Sequence, residues 1–154
     1  MKSFLPRAAM IGTAILVASA TLPLAGGHSP VEKREAAMKE VGKSTKLLGE
    51  MVKGETAFDA AAANAALVAM AEAATGVGEH FPEGTAGAGE NEYAAAEAIW
   101  TDRAGFDAAM TEFQQDVAAA VEAAPQTKEA LVVVFGAVAQ NCKACHEDYR
   151  VKKD

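Results

Sequence analysis

The chain has 154 residues, with 14 basic and 21 acidic side chains and a formal net charge of −7 at neutral pH. That length supports one domain around one core. The acidic balance argues against nucleic acid and anionic membrane as partners, and just two cysteines leave no room for a disulfide framework.

The first residues have the makeup of a secretory signal peptide: Lys2 and Arg7, then an apolar run from Ala8 to Val17, then small residues at Ala18-Ser19-Ala20 and again at Ala25-Gly26-Gly27. Cleavage is expected within 20–27, with 25–27 preferred because the earlier cut would leave a Pro-containing extension. Pro23 interrupts a stretch already short of the roughly 20 residues that a spanning helix needs, which argues against a retained anchor. The expected domain is then 28–154, with 12 basic against 21 acidic side chains and a net charge of about −9. Export places it in the periplasm of a Gram-negative host.

The rest of the chain has helical periodicity throughout, and abundant Ala raises helix propensity. Ser29 as N-cap and Pro30 at the first helical position open a helix that runs to about Lys53, before Gly54. Counting Arg34, its inward stripe is Val31, Arg34, Met38, Val41, Thr45, Leu48 and Val52, the three- and four-residue steps of a bundle seam. A second helix is expected from Asp59 to Thr75, with Leu67, Val68 and Met70 on its apolar side. Residues 76–91 are rich in glycine and form the one long connection. A short helical piece at about 94–100 leads into a third long helix over 102–124, carrying Phe106, Ala109, Met110, Phe113, Val117 and Val121 and stopping before Pro125. The fourth runs over about 127–151 on Leu131, Val134, Phe135, Val138, Cys142, Cys145 and Tyr149. Four amphipathic helices and one long loop predict an all-α, antiparallel four-helix bundle whose core can hold a cofactor.

Near the end stands Cys142-Lys143-Ala144-Cys145-His146. Two thiols three residues apart, with an imidazole directly after the second, make the arrangement by which c-type haem is attached. Two thioethers reach the two vinyl groups on one porphyrin edge while His146 ligates the iron. On a helix the three side chains share a face. A redox dithiol is the competing reading, but it would sit beside a strand in a βαβ pattern, and nothing here reads as a sheet. A zinc site wants about four ligands, and beyond this cluster the chain offers only His28 and His80.

A haem motif inside the last helix of a bundle resembles the class II cytochromes c, the cytochromes c′ and their low-spin relatives of the c556 type. Matching stretches include Arg34-Glu35-x-x-Met38-Lys39, Val52-Lys53-Gly54-Glu55 with Phe58-Asp59, Phe81-Pro82-x-Gly84-Thr85, Ile99-Trp100, Phe106, and Cys142 through Arg150. The resemblance implies one covalent haem c per chain and a protein that is not an enzyme. It implies one-electron transfer if Met38 is the distal iron ligand, as in the c556 type, and NO or CO binding at an open distal site if it is not. Ordinary core packing is the other reading of Met38, since Met51, Met70 and Met110 also lie on or near seams.

Arg34 resembles an arginine near a haem propionate in cytochromes c′; its other reading is an exposed charge among Glu32, Lys33 and Glu35. Glu35 is a weaker candidate for the haem edge. Lys143, Arg150, Lys152 and Lys153 gather around the motif, either as a docking patch for an acidic redox partner or as cations at the negative end of a helix. Arg150 resembles an arginine on the proximal side of cytochromes c′. Tyr149 and Trp100 read as core aromatics and His80 as a solvated loop residue. Members of the family often pair through their first two helices, so a homodimer is an option for this chain.

Overall fold

The structure, a computed structural model, describes residues 28–88 and 94–151. The signal peptide expected at 1–27, residues 89–93 and the last three residues, Lys152 and Lys153 included, lie outside the described residues. The helices are α1 (Pro30–Lys53), α2 (Ala60–Ala74), α3 (Ala98–Thr101), α4 (Arg103–Ala123) and α5 (Lys128–Tyr149), with a 3-10 turn at Val77–His80.

Local chemistry sets the helix ends. The Glu32 N–H donates to the Ser29 hydroxyl at 3.2 Å while the Ser29 N–H donates to the Glu32 carboxylate at 2.7 Å, a capping box that opens α1. Gly54 closes that helix in the left-handed region at φ 79°. Asp59, Asp102 and Thr127 cap α2, α4 and α5 with their side-chain oxygens. Ala124 turns left-handed at φ 40° and Pro125 follows, which ends α4.

The four long helices form a closed ring in which α1 meets α2 and α5, and α4 meets the same two. The short links 54–59 and 124–127 make the helices they join antiparallel neighbours. At the centre lie Leu48 and Met51, Leu67 and Met70, Phe106 and Val117, and Leu131 and Val138, a pair from each helix, none more than 2% exposed.

Three sequence expectations change. Val68 is 42% exposed and stands outside the core: in a helix of nearly continuous Ala, apolar character marks no single face. The last helix ends at Tyr149 rather than 151, because Arg150 adopts an extended conformation and pairs with Ala95 in an isolated antiparallel bridge. For the same reason the short helix begins at Ala98 rather than 94: the Ala96 N–H donates to the Tyr149 carbonyl at 3.1 Å and the Val151 N–H to the Ala94 carbonyl at 3.0 Å.

Leu48, fully buried, should lose about 2–5 kcal/mol of stability on replacement by Ala. Val68→Ala should stay within about 0.5 kcal/mol. Denaturant unfolding at unchanged slope is the measurement, and similar losses for the two would contradict this core.

Candidate functional site

Where α5 finishes, α1, α3, α4 and α5 enclose a cavity of about 440 Å³, within the usual size range of cofactor pockets. Its walls are mostly apolar, with Val41, Ile99, Phe106, Met110 and Phe113 among them. The inward stripe of α5 carries straight into it. Leu131, Phe135 and Val138 are buried in the core, and further along the same face Cys142, Cys145, His146 and Tyr149 line the cavity. From α1 come Met38, Gly42 and Thr45.

Both cysteines are free and half-buried. Burial pushes the Cys142 thiol up. Burial, then the neighbouring Cys142 and Asp148, push the Cys145 thiol up to about 11. A dithiol oxidoreductase needs the opposite shift, toward thiolate, so these are neutral thiols set against an apolar space. Partial burial, then Arg150, hold His146 below its ordinary value, which leaves a neutral imidazole with a lone pair for a metal. Among the described residues no three His, Cys, Asp or Glu side chains converge as they would around a bare metal ion. Two neutral thiols and one neutral imidazole on the wall of one apolar cavity fit a covalently held metalloporphyrin.

Met38, half-buried, reaches the cavity from α1, whereas Met51 and Met70 are packed in the core. A second thioether lines the cavity as well, that of Met110 from α4. Its place on the same stripe as Phe106 and Phe113 carried that signal in the sequence.

Arg34 is 2% exposed, so it is no surface charge. Its guanidinium donates to the Thr85 hydroxyl at 3.0 Å, to the Thr85 carbonyl at 3.1 Å and to the Ala88 carbonyl at 2.5 Å, and lies 5.0 Å over the Phe81 ring. Neither Arg34 nor Glu35 lines the cavity; Arg34 sits behind Phe81, which does. The Arg34 Nε–H is buried with no partner among the described residues, a donor that a carboxylate could take. Arg34 as the anchor of the glycine-rich connection has no local sequence signal. Trp100 and Arg103 hold the same segment, through the carbonyls of Pro82 (3.1 Å) and Gly78 (3.2 Å). His80, expected in open solvent, is half-buried in the 3-10 turn. Lys143 pairs at 3.8 Å with Glu147 on the outer face of α5, and Arg150 lines the cavity.

Fold and cavity define a four-helix bundle with a cofactor cavity at the end of its last helix. The chain belongs to the cytochrome c′ family, whose sequence profile, described as Cytochrome C′, matches residues 29–150. It is 36% identical to a cytochrome c′ of Rhodopseudomonas palustris over 126 residues, 80% of this chain and 82% of the relative. It is 35% identical to a cytochrome c-556 of Agrobacterium fabrum over 123 residues, again 80% and 82% of the two chains. Among solved structures, a cytochrome c′ from Rhodopseudomonas palustris superposes with a TM-score of 0.75 at 31% identity, covering 83% of this chain and all of that one. The oxidized cytochrome c556 of R. palustris gives 0.71 at 30% identity, covering 81% and 98%. Cytochromes of this family carry haem c on an antiparallel four-helix bundle.

The raised thiol gives a test in the haem-free chain. Cys145 ionises at higher pH when folded than when unfolded, so its stabilising contribution is complete below about pH 9 and is lost as pH rises toward about 11. Unfolding free energy should fall across that window, and fall less in Cys145→Ala. Equal losses in the two chains would show that this thiol is not held as described.

Proposed function

We propose that the protein is an exported one-electron carrier. Cys142 and Cys145 would hold one haem c by thioethers, His146 would be its proximal iron ligand and Met38 its distal one. The observation that carries the reading is that thiols and imidazole from α5 and a thioether from α1 line one apolar cavity. When bound, the group would supply an iron that cycles between two oxidation states. Thioether ligation opposite His raises the potential and restricts exchange of outside ligands, both suited to electron transfer. The chain's own contribution is to exclude water with Phe106, Phe113 and Ile99 and to keep His146 neutral, while Arg34, behind Phe81, would support the pocket by holding residues 85–88 against α1. Glu35, half-buried beside it on α1, likewise stands outside the cavity lining.

The periplasm is the compartment this reading requires, reached by way of the leader at 1–27. No helix among the described residues is long and apolar enough to cross a membrane. Lys143 and Arg150 stand beside the motif, where they would meet an acidic redox partner; nucleic acid is not a partner and the protein turns over no substrate of its own. A homodimer is compatible with this function and is not required by it.

A second reading, a cytochrome c′ that binds NO or CO, is supported by relatives that carry that name, one of them 36% identical to this chain.

An optical spectrum of the purified protein, oxidised, reduced and after CO, separates the two. The electron-transfer reading expects a low-spin spectrum unmoved by CO. Met38→Ala should then convert it to high spin and raise CO affinity at least about tenfold, a change of about 1.4 kcal/mol. Met110→Ala should leave it low-spin. A parent protein already high-spin and responsive to CO would establish the gas-binding reading instead.

A further inference from the structure

One turn past His146, the Tyr149 ring lines the cavity and meets the edge of Phe106, with centroids 5.4 Å apart and planes at 80°. Its hydroxyl donates to Oδ2 of Asp102 at 2.9 Å. The other oxygen of that carboxylate accepts the Gly105 N–H at 3.2 Å and caps α4. One side chain thus fastens the start of α4 to the end of α5.

Gly105 makes the meeting fit. A Cβ at that position would overlap the Asp102 carboxylate and the Tyr149 hydroxyl. Glycine is a poor helix former, and its place in the first turn of α4 follows from the space these two groups occupy. The backbone on either side is tied as well, Ala96 to Tyr149 and Val151 to Ala94. Burial, then the bond to Asp102, push the Tyr149 phenol up to about 12, so it remains a donor through the neutral range.

We propose that Asp102 and Tyr149 act as one positioning unit for the haem-bearing end of α5, and that the Asp102 carboxylate, held by the phenol on the solvent-exposed side of the first turn of α4, is a fixed negative charge that lowers the haem's midpoint potential. The proposal rests on the site reading given above. A fixed anion favours the oxidised iron, which carries one more positive charge than the reduced form. Asp102 is exposed to solvent, so water and salt screen part of its field. Tyr149 holds it in place.

The test is a redox titration of the full-length, haem-loaded protein. Asp102→Asn removes the charge and keeps a capping oxygen for Gly105, while its amide can donate to the phenol oxygen. Asp102→Ser, also uncharged and capping, replaces it if the first variant does not fold. The midpoint potential should rise in the parent background, and the same substitution should raise it by less than about half as much in a Tyr149→Phe background. Tyr149→Phe itself should lower the thermal midpoint, since the α4–α5 link is lost. No rise in the parent, or equal rises in both backgrounds, would overturn the proposal and leave Asp102 as a helix cap alone. A parent lacking covalent haem would overturn the site reading and this one together, whereas a haem-loaded parent with an unmoved potential overturns only the pair.

Discussion

Everything at the cofactor end depends on the rotational setting of α5 about its own axis. Leu131 and Val138 are fully buried in the bundle, and Phe135 nearly so. Each such side chain contributes about 1.5–3 kcal/mol by leaving water, so the first half of the helix cannot rotate without losing the core. Because one residue corresponds to about 100° of rotation, the same setting decides where Cys142, Cys145 and His146 point a turn later. These three side chains need no loop to position them, and their precision derives from apolar packing that takes no part in the chemistry.

Arg34 supplies the second constraint, on the opposite wall. A buried guanidinium is costly unless its donors are met, and here they are met largely by carbonyls of the glycine-rich connection. That requirement draws residues 85–88 onto α1 one turn before Met38. It also presses the Phe81 ring against Phe106, 4.9 Å between centroids, and Phe106 in turn meets Tyr149. A run of contacts therefore reaches from the helix of Met38 to the helix of His146, and the long connection is a structural member of the pocket.

What could be read from the sequence is what depends on neighbours in the chain. Ser29, Pro30, Asp59 and Pro125 announce helix ends because capping acts over three or four residues. The stripes of α1, α4 and α5 were legible because larger side chains alternate with Ala and charge, and Arg34 belonged to its stripe by spacing alone. Val68 was misplaced because α2 is apolar on nearly every side. The carbonyl partners of Arg34, the backbone pairing of residues 94–96 with 149–151, and the space left by Gly105 all join segments far apart in the chain. Two of the three involve backbone atoms, which leave no mark in side-chain periodicity.

Relatives named cytochrome c′ and relatives named cytochrome c-556 match this chain almost equally well, and the geometry explains how one frame serves both. Core, cap and aromatic contacts fix the wall that α5 gives the cavity, while the rest of the lining includes two flexible thioethers, Met38 of α1 and Met110 of α4. On the proposed reading, the difference between a closed iron and an open one is the free energy of one side-chain rearrangement, small compared with the packing that holds the bundle. On that reading, functional divergence within such a fold requires no change in the core, only a shift in whether the side chain at position 38 meets the iron or turns away from it.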